Sequence, residues 1–595
     1  MALQPNLDKS LITYSVSAGG SIIDGTFAPI SIRVSKEINK IPSAQIEFYD
    51  GSPADNEDFK ISHSSAFKPG TEITINCGYE SEEQVIFKGI VTKHQLKIRN
   101  GSAVLQIECK DKALKMTYGR KNEIYQKKKD SDIISDLIKN NGLQGKVEAT
   151  EEQIEEIVQH YTSDWDFMML RADINNLVAI VNDGEVNVVK PKADQAPLFD
   201  VDYGTNLYDF DAEMDVKNQY NEISVVGWDP NNQEIIEVSS KQAPEIQHGN
   251  QKSSDLAKVL GNGKATLQTG GKLSVASLTA WGNSMLLRSR LAKIRGNATI
   301  RGDASVKPNT IINFSGISNT FNGKAYVSGV YHIIEEGDWK TELQIGLKER
   351  WFAEDTPGIE APNAAGLNSG MQGLQVAIVK KINEDPAGEY RIQVTIPTLK
   401  KDNLSIWARL SNFYSTKESG LFFMPEIGDE VVLGFLNNDP QFPIILGSVY
   451  SAKNKPNYTP TDKNEIKSLL TKSKLEIQFN DEDKIITIST PGGHKVIMDD
   501  KEKALTVMDE ANKNSIIMSD KGITIEAEKD IIFKAKGNIS MESKGKTEIK
   551  ATQDFASEGM NVTLKGKTKF AAEGAQAELK GSAMTTIKGG IVQIN

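Results

Sequence analysis

ITIEAEKDIIFKAKGNISMESKGKTEIK (Ile523–Lys550) is the stretch that decides the fold. Ile523 and Ile525, Ile531 and Phe533, Ile539 and Met541, and Thr547 and Ile549 form pairs that follow one another at intervals of eight residues. One residue intervenes within each pair, the spacing of two side chains on one face of a strand. The register slips by one near Phe555 and resumes with Val562 and Leu564, Phe570 and Ala572, and Ala577 and Leu579. Gly537 and Gly545 lie eight apart, while Gly559, Gly566, Gly574, Gly581 and Gly589 alternate between seven and eight. A fixed short period holding a strand pair and a turn glycine predicts a β-helix or β-solenoid.

Each repeat offers only one or two modest apolar side chains. A lone ribbon of that kind cannot offset its ordering entropy. Three identical ribbons around a common axis bury the pairs and close every strand edge. Residues 475–595 are therefore expected to form an intertwined trimeric β-helix. Its core is Ile523, Ile525, Ile531, Phe533, Ile539, Met541 and Ile549, with Lys, Asp and Glu facing water. A single-chain solenoid and a disordered low-complexity tail are the alternatives. From residue 471 the tail holds no Trp, Cys or Arg, and Pro491 is its one proline.

Upstream, residues 452–474 read as a neck, and 373–451 hold five short strand runs that suit an OB-fold. Residues 353–372 (AEDTPGIEAPNAAGLNSGMQ) are rich in Pro, Gly, Ala and Asn and read as a linker. Residues 1–120 alternate apolar and polar side chains, as at Ile30, Ile32 and Val34 or Ala44, Ile46 and Phe48. That pattern, repeated at Ile73, Ile75 and Cys77 and at Leu105, Ile107 and Cys109, predicts a first β-barrel. Residues 121–204 form an α/β insert. Ile133, Ile134, Leu137 and Ile138 make one helix ahead of Gly142, and Ser163 with Asp166 opens another. Residues 205–352, from Ile223 and Val225 to Ile345, form a second β-barrel interrupted by a helix through Leu278, Trp281, Met285 and Leu291. The fold class is mainly β.

The chain has 595 residues, more than one core can serve, and a formal net charge of −11. That balance argues against nucleic acid as the main partner. No apolar run approaches the ~18 residues needed to cross a bilayer, and the first residues show no secretory leader. Two cysteines in so long a chain, Cys77 and Cys109, suit a reducing compartment and buried strand thiols.

GLFFMPEIGDEVVLGF (Gly420–Phe435), followed by NDPQFPIILGSVY ending at Tyr450, resembles the barrel of the VgrG family and of the related hub-spike proteins of contractile phage tails and injection particles. Pro425, Glu426, Gly428, Asp429, Glu430, Asp439, Pro440, Pro443 and Gly447 fall on its pattern. TPGGHKVIMDD (Thr490–Asp500) resembles the start of the family's spike, SDWDFMMLRA (Ser163–Ala172) its hub helix, and MTTIKGGIVQIN its blunt tip. The resemblance implies a non-enzymatic homotrimer with two hub barrels that imitate a six-fold tube ring, an OB collar and a needle. Such a spike is assembled in the cytoplasm and then driven outward on contraction, without a signal peptide. It implies as partners an Hcp-like inner-tube ring, baseplate proteins, effectors with their adaptors, and transiently the target membrane. It also implies a PAAR-type protein docked on Ile587, Gly589, Gly590, Ile591, Val592 and Ile594, where an apolar three-fold end needs a cap.

Bond chemistry finds little footing. The six histidines (His63, His94, His160, His248, His332 and His494) are scattered, with no zinc spacing, though a residue near a three-fold axis such as His494 appears three times and could hold an ion. LGNGKATLQTGGK (Leu260–Lys272) fails the phosphate-loop pattern and reads as a flexible loop. Asp429 and Glu430 are adjacent and read as a turn and strand start rather than a catalytic pair. No catalytic residue, cofactor or bound metal is expected. The competing functions are a tail adhesin or receptor binder, and a β-solenoid glycan-degrading enzyme. The enzyme would need acidic or Tyr/His clusters along a groove, where this tail alternates acids with lysines.

Overall fold

Alternation becomes burial in the first half of the chain. The computed structural model describes residues 11–51, 59–261, 263–400 and 404–594; the leader reading rests on residues 1–20, the first ten of which lie outside these. Two compact units divide the chain, Met1–Val449 and Tyr450–Asn595.

In the first unit, strands Pro29–Glu37, Ser43–Tyr49 and Ser102–Lys110 pair antiparallel, placing Ile32 beside Ile46 and Ile46 beside Ile107. These residues are buried together with Phe48, Ile73, Ile75, Cys77, Leu105 and Cys109 in one core. The two thiols sit in strands as expected, and burial pushes each up to about 12. A second core holds Ile312, Phe314, Val330, Leu343 and Ile345.

The expectation of two separate barrels is corrected. Strand Gly323–Glu335 pairs with Pro29–Glu37, setting Ile334 beside Ile32 and His332 beside Val34. Both halves thereby join one thirteen-stranded sheet. Pairing these two strands removes an exposed backbone edge that each half would otherwise carry. Ile334 and Trp339 of the second half complete the core of the first. The second half also starts earlier than residue 205, because Asp200–Asp202 pairs in parallel with Thr310–Ser315. Ile223 and Val225 leave it altogether. They lie in a three-stranded sheet of Glu222–Asp229, Glu234–Ser240 and Lys264–Gln268, packed on helix Val275–Leu291 through Leu278 and Leu286. Lys264–Gln268 is thus a strand within the segment read as a flexible loop. It pairs in parallel with Glu222–Asp229, and its Ala265 and Leu267 pack against that core.

The insert folds largely as read. Helix Asp130–Asn140 buries Ile133, Ile134, Leu137 and Ile138, and Gly142 follows with φ +69°. Helix Asp164–Ile174 is capped by Ser163, whose Oγ accepts the Asp166 N–H at 3.1 Å. Helix Ser253–Val259 carries no strong periodicity and escapes a sequence reading.

Residues 353–372 are anchored rather than free. Arg120 donates to the Gly358 and Glu360 carbonyls, Ala364 is buried, and Met371 N–H bonds the Asn438 carbonyl at 2.7 Å. Beyond them, Gln375–Lys381, Ile392–Thr395, Ile406–Leu410, Pro443–Ser448 and Glu430–Phe435 close a five-stranded barrel around Val379, Val394, Ala408, Leu433 and Ile445.

In the second unit the strands begin at Ile466, inside the expected neck, because Ile466–Leu470 pairs with Glu476–Asn480. Seven strands from Ile466 to Glu526 follow as an antiparallel meander. This corrects the expected β-helix from 475 to 526: the chain reverses after each strand instead of winding onward. The turns explain why. In Asn480–Lys484, Asp499–Lys503 and Asp509–Lys513 the first side chain accepts the N–H of the fourth residue at 3.1, 2.8 and 3.2 Å. The fifth residue is a lysine at φ +58°, +50° and +55°. A turn closed by one left-handed residue is a hairpin loop.

Candidate functional site

Residues directly opposite in an antiparallel pair share a face. Following that rule through the meander yields two unbroken columns. Leu469, Ile477, Ile488, Val496, Val507, Ile516 and Ile525 pair in succession. So do Phe479, Ile486, Met498, Leu505, Met518 and Ile523. The opposite face carries Ser468, Gln478, Thr487, Ile497, Thr506, Ile517 and Thr524 in the same succession. One face is apolar along these two columns, with Lys467, His494, Asp509 and Asn514 at its edges, and the other is mixed.

Among the described residues of one chain, nothing buries the apolar face. Phe479 is 43% exposed and Val507 42%, against 0% for Ile46 in the first unit. A groove of about 550 Å³ runs along it, lined by Ile488, Val496, Val507, Ile516, Ile525 and Ile531. Soluble chains rarely leave a contiguous apolar surface this long without a partner for it.

The expected core residues Ile523 and Ile525 continue the two columns, and Ile531 lines the same groove. Phe533, Ile539, Met541 and Ile549 lie in residues 528–594, which are exposed throughout and include no strand paired within the chain. The residues expected at the tip are exposed there too, Ile591 at 86%. The sequence does not announce the meander columns because the chain reverses at each hairpin, so facing residues fall at uneven steps, as from Ile477 to Ile488 and on to Val496. The thrice-repeated Asn/Asp turn closed by lysine is the signal that could have found them.

The remaining candidates resolve into structure. His94 touches Ser62 Oγ at 2.9 Å and the Phe67 carbonyl at 3.2 Å. His332 is buried against Thr341 Oγ1 at 3.1 Å, and desolvation, aided by the Lys36 charge, lowers it to about 3. Burial, aided by the Lys293 charge, likewise takes His248 down to about 4. His494 stands on the apolar face at its edge, opposite Asp509 and 3.7 Å from it. Among the described residues no cluster of three or more His, Cys, Asp or Glu could hold a metal ion. Asp429 accepts the Glu426 N–H at 2.8 Å beside Gly428 at φ +94°, while Glu430 begins a strand. Asp439 likewise accepts the Gln441 N–H at 3.0 Å. Those motif residues build turns.

A family model described as the Alg8 N-terminal domain matches residues 8–336, more than half of the chain. A second, the type VI secretion system/phage-baseplate injector OB domain, matches residues 375–450. The type VI secretion system spike protein VgrG5 of Pseudomonas aeruginosa is 31% identical over 115 residues, 18% of this chain and 14% of that protein. The actin cross-linking toxin VgrG1 of Vibrio cholerae is 30% identical over 124 residues, 21% of this chain and 11% of that protein. The chain therefore spans well under a fifth of the length of these curated relatives. Among solved structures, a prophage tail protein of Shewanella oneidensis is similar at 10% identity and a TM-score of 0.45, covering 57% of this chain and 99% of that one. A type VI secretion component of E. coli is similar at 12% identity and a TM-score of 0.37, covering 73% and 99%.

Proposed function

We propose that this chain, which belongs to the Alg8 N-terminal domain family and to the VgrG and phage hub-spike proteins, works as a homotrimeric central spike of a contractile injection machine. The observation that carries the reading is the apolar face of the meander, two columns wide and exposed in the single chain. Three copies turned inward around one axis bury these columns and leave the mixed face to water. The apolar pairs from Ile531 to Ile549 continue the same axis as the needle core. In that arrangement rigidity is the mechanism, and no side chain does bond chemistry.

The first unit serves as the hub in this reading. Two β halves in each of three chains offer six similar surfaces, the number needed to meet a six-fold inner-tube ring. At the far end, the exposed Ile587, Ile591, Val592 and Ile594 offer an apolar docking surface for a small PAAR-type tip protein. Effectors and their adaptors travel on the same end, and the needle meets the target membrane only in passing. The experiment is a pull-down of the tagged chain from its native cell. It should recover an inner-tube ring protein and a small tip protein. Deleting residues 590–595 should lose the tip protein and keep the ring protein. Recovery of neither by the full chain contradicts the reading.

A further inference from the structure

The five-stranded barrel carries two features that a needle does not explain. The first is a groove of about 640 Å³ with Trp407, Arg409, Leu436, Phe442 and Ile444 in its lining. Both its walls are locked turns. Asp385 accepts the N–H groups of Ala387 and Glu389 at 3.2 and 2.9 Å. The same carboxylate grips Arg391 through two further bonds of 2.8 and 3.1 Å. Opposite, Asn437 and Asn438 turn at φ +50° and +57°. Leu436 N–H then bonds the Phe442 carbonyl at 3.1 Å, and Phe442 N–H bonds the Asp439 carbonyl at 3.0 Å. Pro443, just beyond this turn, lines the groove. The groove is preformed.

The second feature is the short hairpin pairing Ser415–Thr416 with Ser419–Gly420. Phe413, Tyr414, Phe422 and Phe423 flank it, and Phe413 is 98% and Phe422 80% exposed. None of the four lines the groove of its own chain. Aromatic side chains left this bare mark an interaction surface, since each buries about 150–250 Å² when covered. The charges match as well. Exposed Arg409 on the groove has no carboxylate partner among the described residues, and neither has Glu418 at the hairpin tip an ammonium or guanidinium partner.

We propose that the aromatic hairpin of residues 411–424 in one copy seats in the Trp407–Phe442 groove of the next copy, with Glu418 facing Arg409. Knob and hole are different surfaces of one domain. A contact of that kind is head-to-tail, and it closes into a ring when three copies stand about one axis. This rests on the trimer reading, yet it is separable from it. A trimer held by the needle alone leaves hairpin and groove apart.

The test uses the full chain, co-expressed in two tagged forms, one carrying Phe422→Cys and the other Phe442→Cys. After purification through both tags, a short bismaleimide should join the two forms as the major species on a denaturing gel, with neither variant alone cross-linked. Arg409→Glu should cut the yield several-fold, and adding Glu418→Arg should restore it. If light scattering still reads three chains while no mixed cross-link forms, the hairpin-in-groove contact is overturned and the trimer stands. If the chain is monomeric, the underlying reading falls first.

Discussion

Ile46 and Val507 occupy the same kind of position, a β-branched residue in mid-strand with apolar cross-strand neighbours on both sides. Ile46 is fully buried and Val507 is 42% exposed. Unit one folds its apolar faces onto each other, because strands nearly 300 residues apart return to pair, as Ile32 does with Ile334. Unit two runs as a single meander, so among the described residues its face meets no second sheet. The same alternation therefore builds a core in one place and, in the other, an exposed face that the proposed trimer would bury. Period-two patterning reports that a face is apolar. It does not report which chain dries it.

The largest effect should come from charging the dry face of unit two. In the proposed trimer Val507→Asp would set three carboxylates together in the interior, and unpaired burial of that kind costs several kcal/mol per site. Its neighbour Thr506 lies on the mixed face, so Thr506→Asp should leave the assembly intact. Equal loss of the oligomer for both variants, measured by size-exclusion chromatography with light scattering, breaks the contrast.

Ile46→Ala probes the other side of the comparison. A fully buried isoleucine cut to alanine should cost about 2–5 kcal/mol in the urea unfolding of unit one. The oligomer mass should not change, because that core lies within one chain.

A smaller effect is expected from His332. Its folded pKa lies near 3, against 6.5 for the free side chain. Below 6.5 the unfolded chain binds a proton that the folded chain refuses, so stability is lost as pH falls from about 6.5 toward 3. The urea midpoint of unit one should fall between pH 7 and 5, and His332→Gln should shrink that fall. An unchanged pH slope in the variant contradicts the buried-neutral assignment.

The smallest effect belongs to Lys534→Glu in the exposed segment after the meander. Surface changes of this kind usually stay within about 0.5 kcal/mol, and the oligomer yield should match the unaltered chain. Ile531→Asp, three residues away, should destroy it. A comparable loss from both would undo the assignment of inward and outward positions.

Much of this was legible in the sequence because it is local. The runs at Ile32, Ala44, Ile73 and Leu105, the Ser163 cap and the five barrel strands follow from neighbours a few residues apart. What failed was long-range or shared. Pairing of Gly323–Glu335 with Pro29–Glu37 fuses two expected barrels into one sheet, and no local pattern announces it. Residues 353–372 have the composition of a linker, yet Ala364 is buried and Met371 is tied to Asn438. The apolar pairs are legible from Ile523 onward, where the period is regular, and not from Leu469 to Met518, where reversal at each hairpin makes the spacing uneven. Ile531, which lines the groove beside Ile525, links the two stretches.

The central claim is that unit two's apolar columns are covered by two further copies of the same chain. Multi-angle light scattering of the purified full-length protein tests it in one measurement. The account predicts a mass close to three times 65.4 kDa across the peak, independent of dilution through the micromolar range. A stable, folded species of 65.4 kDa contradicts it.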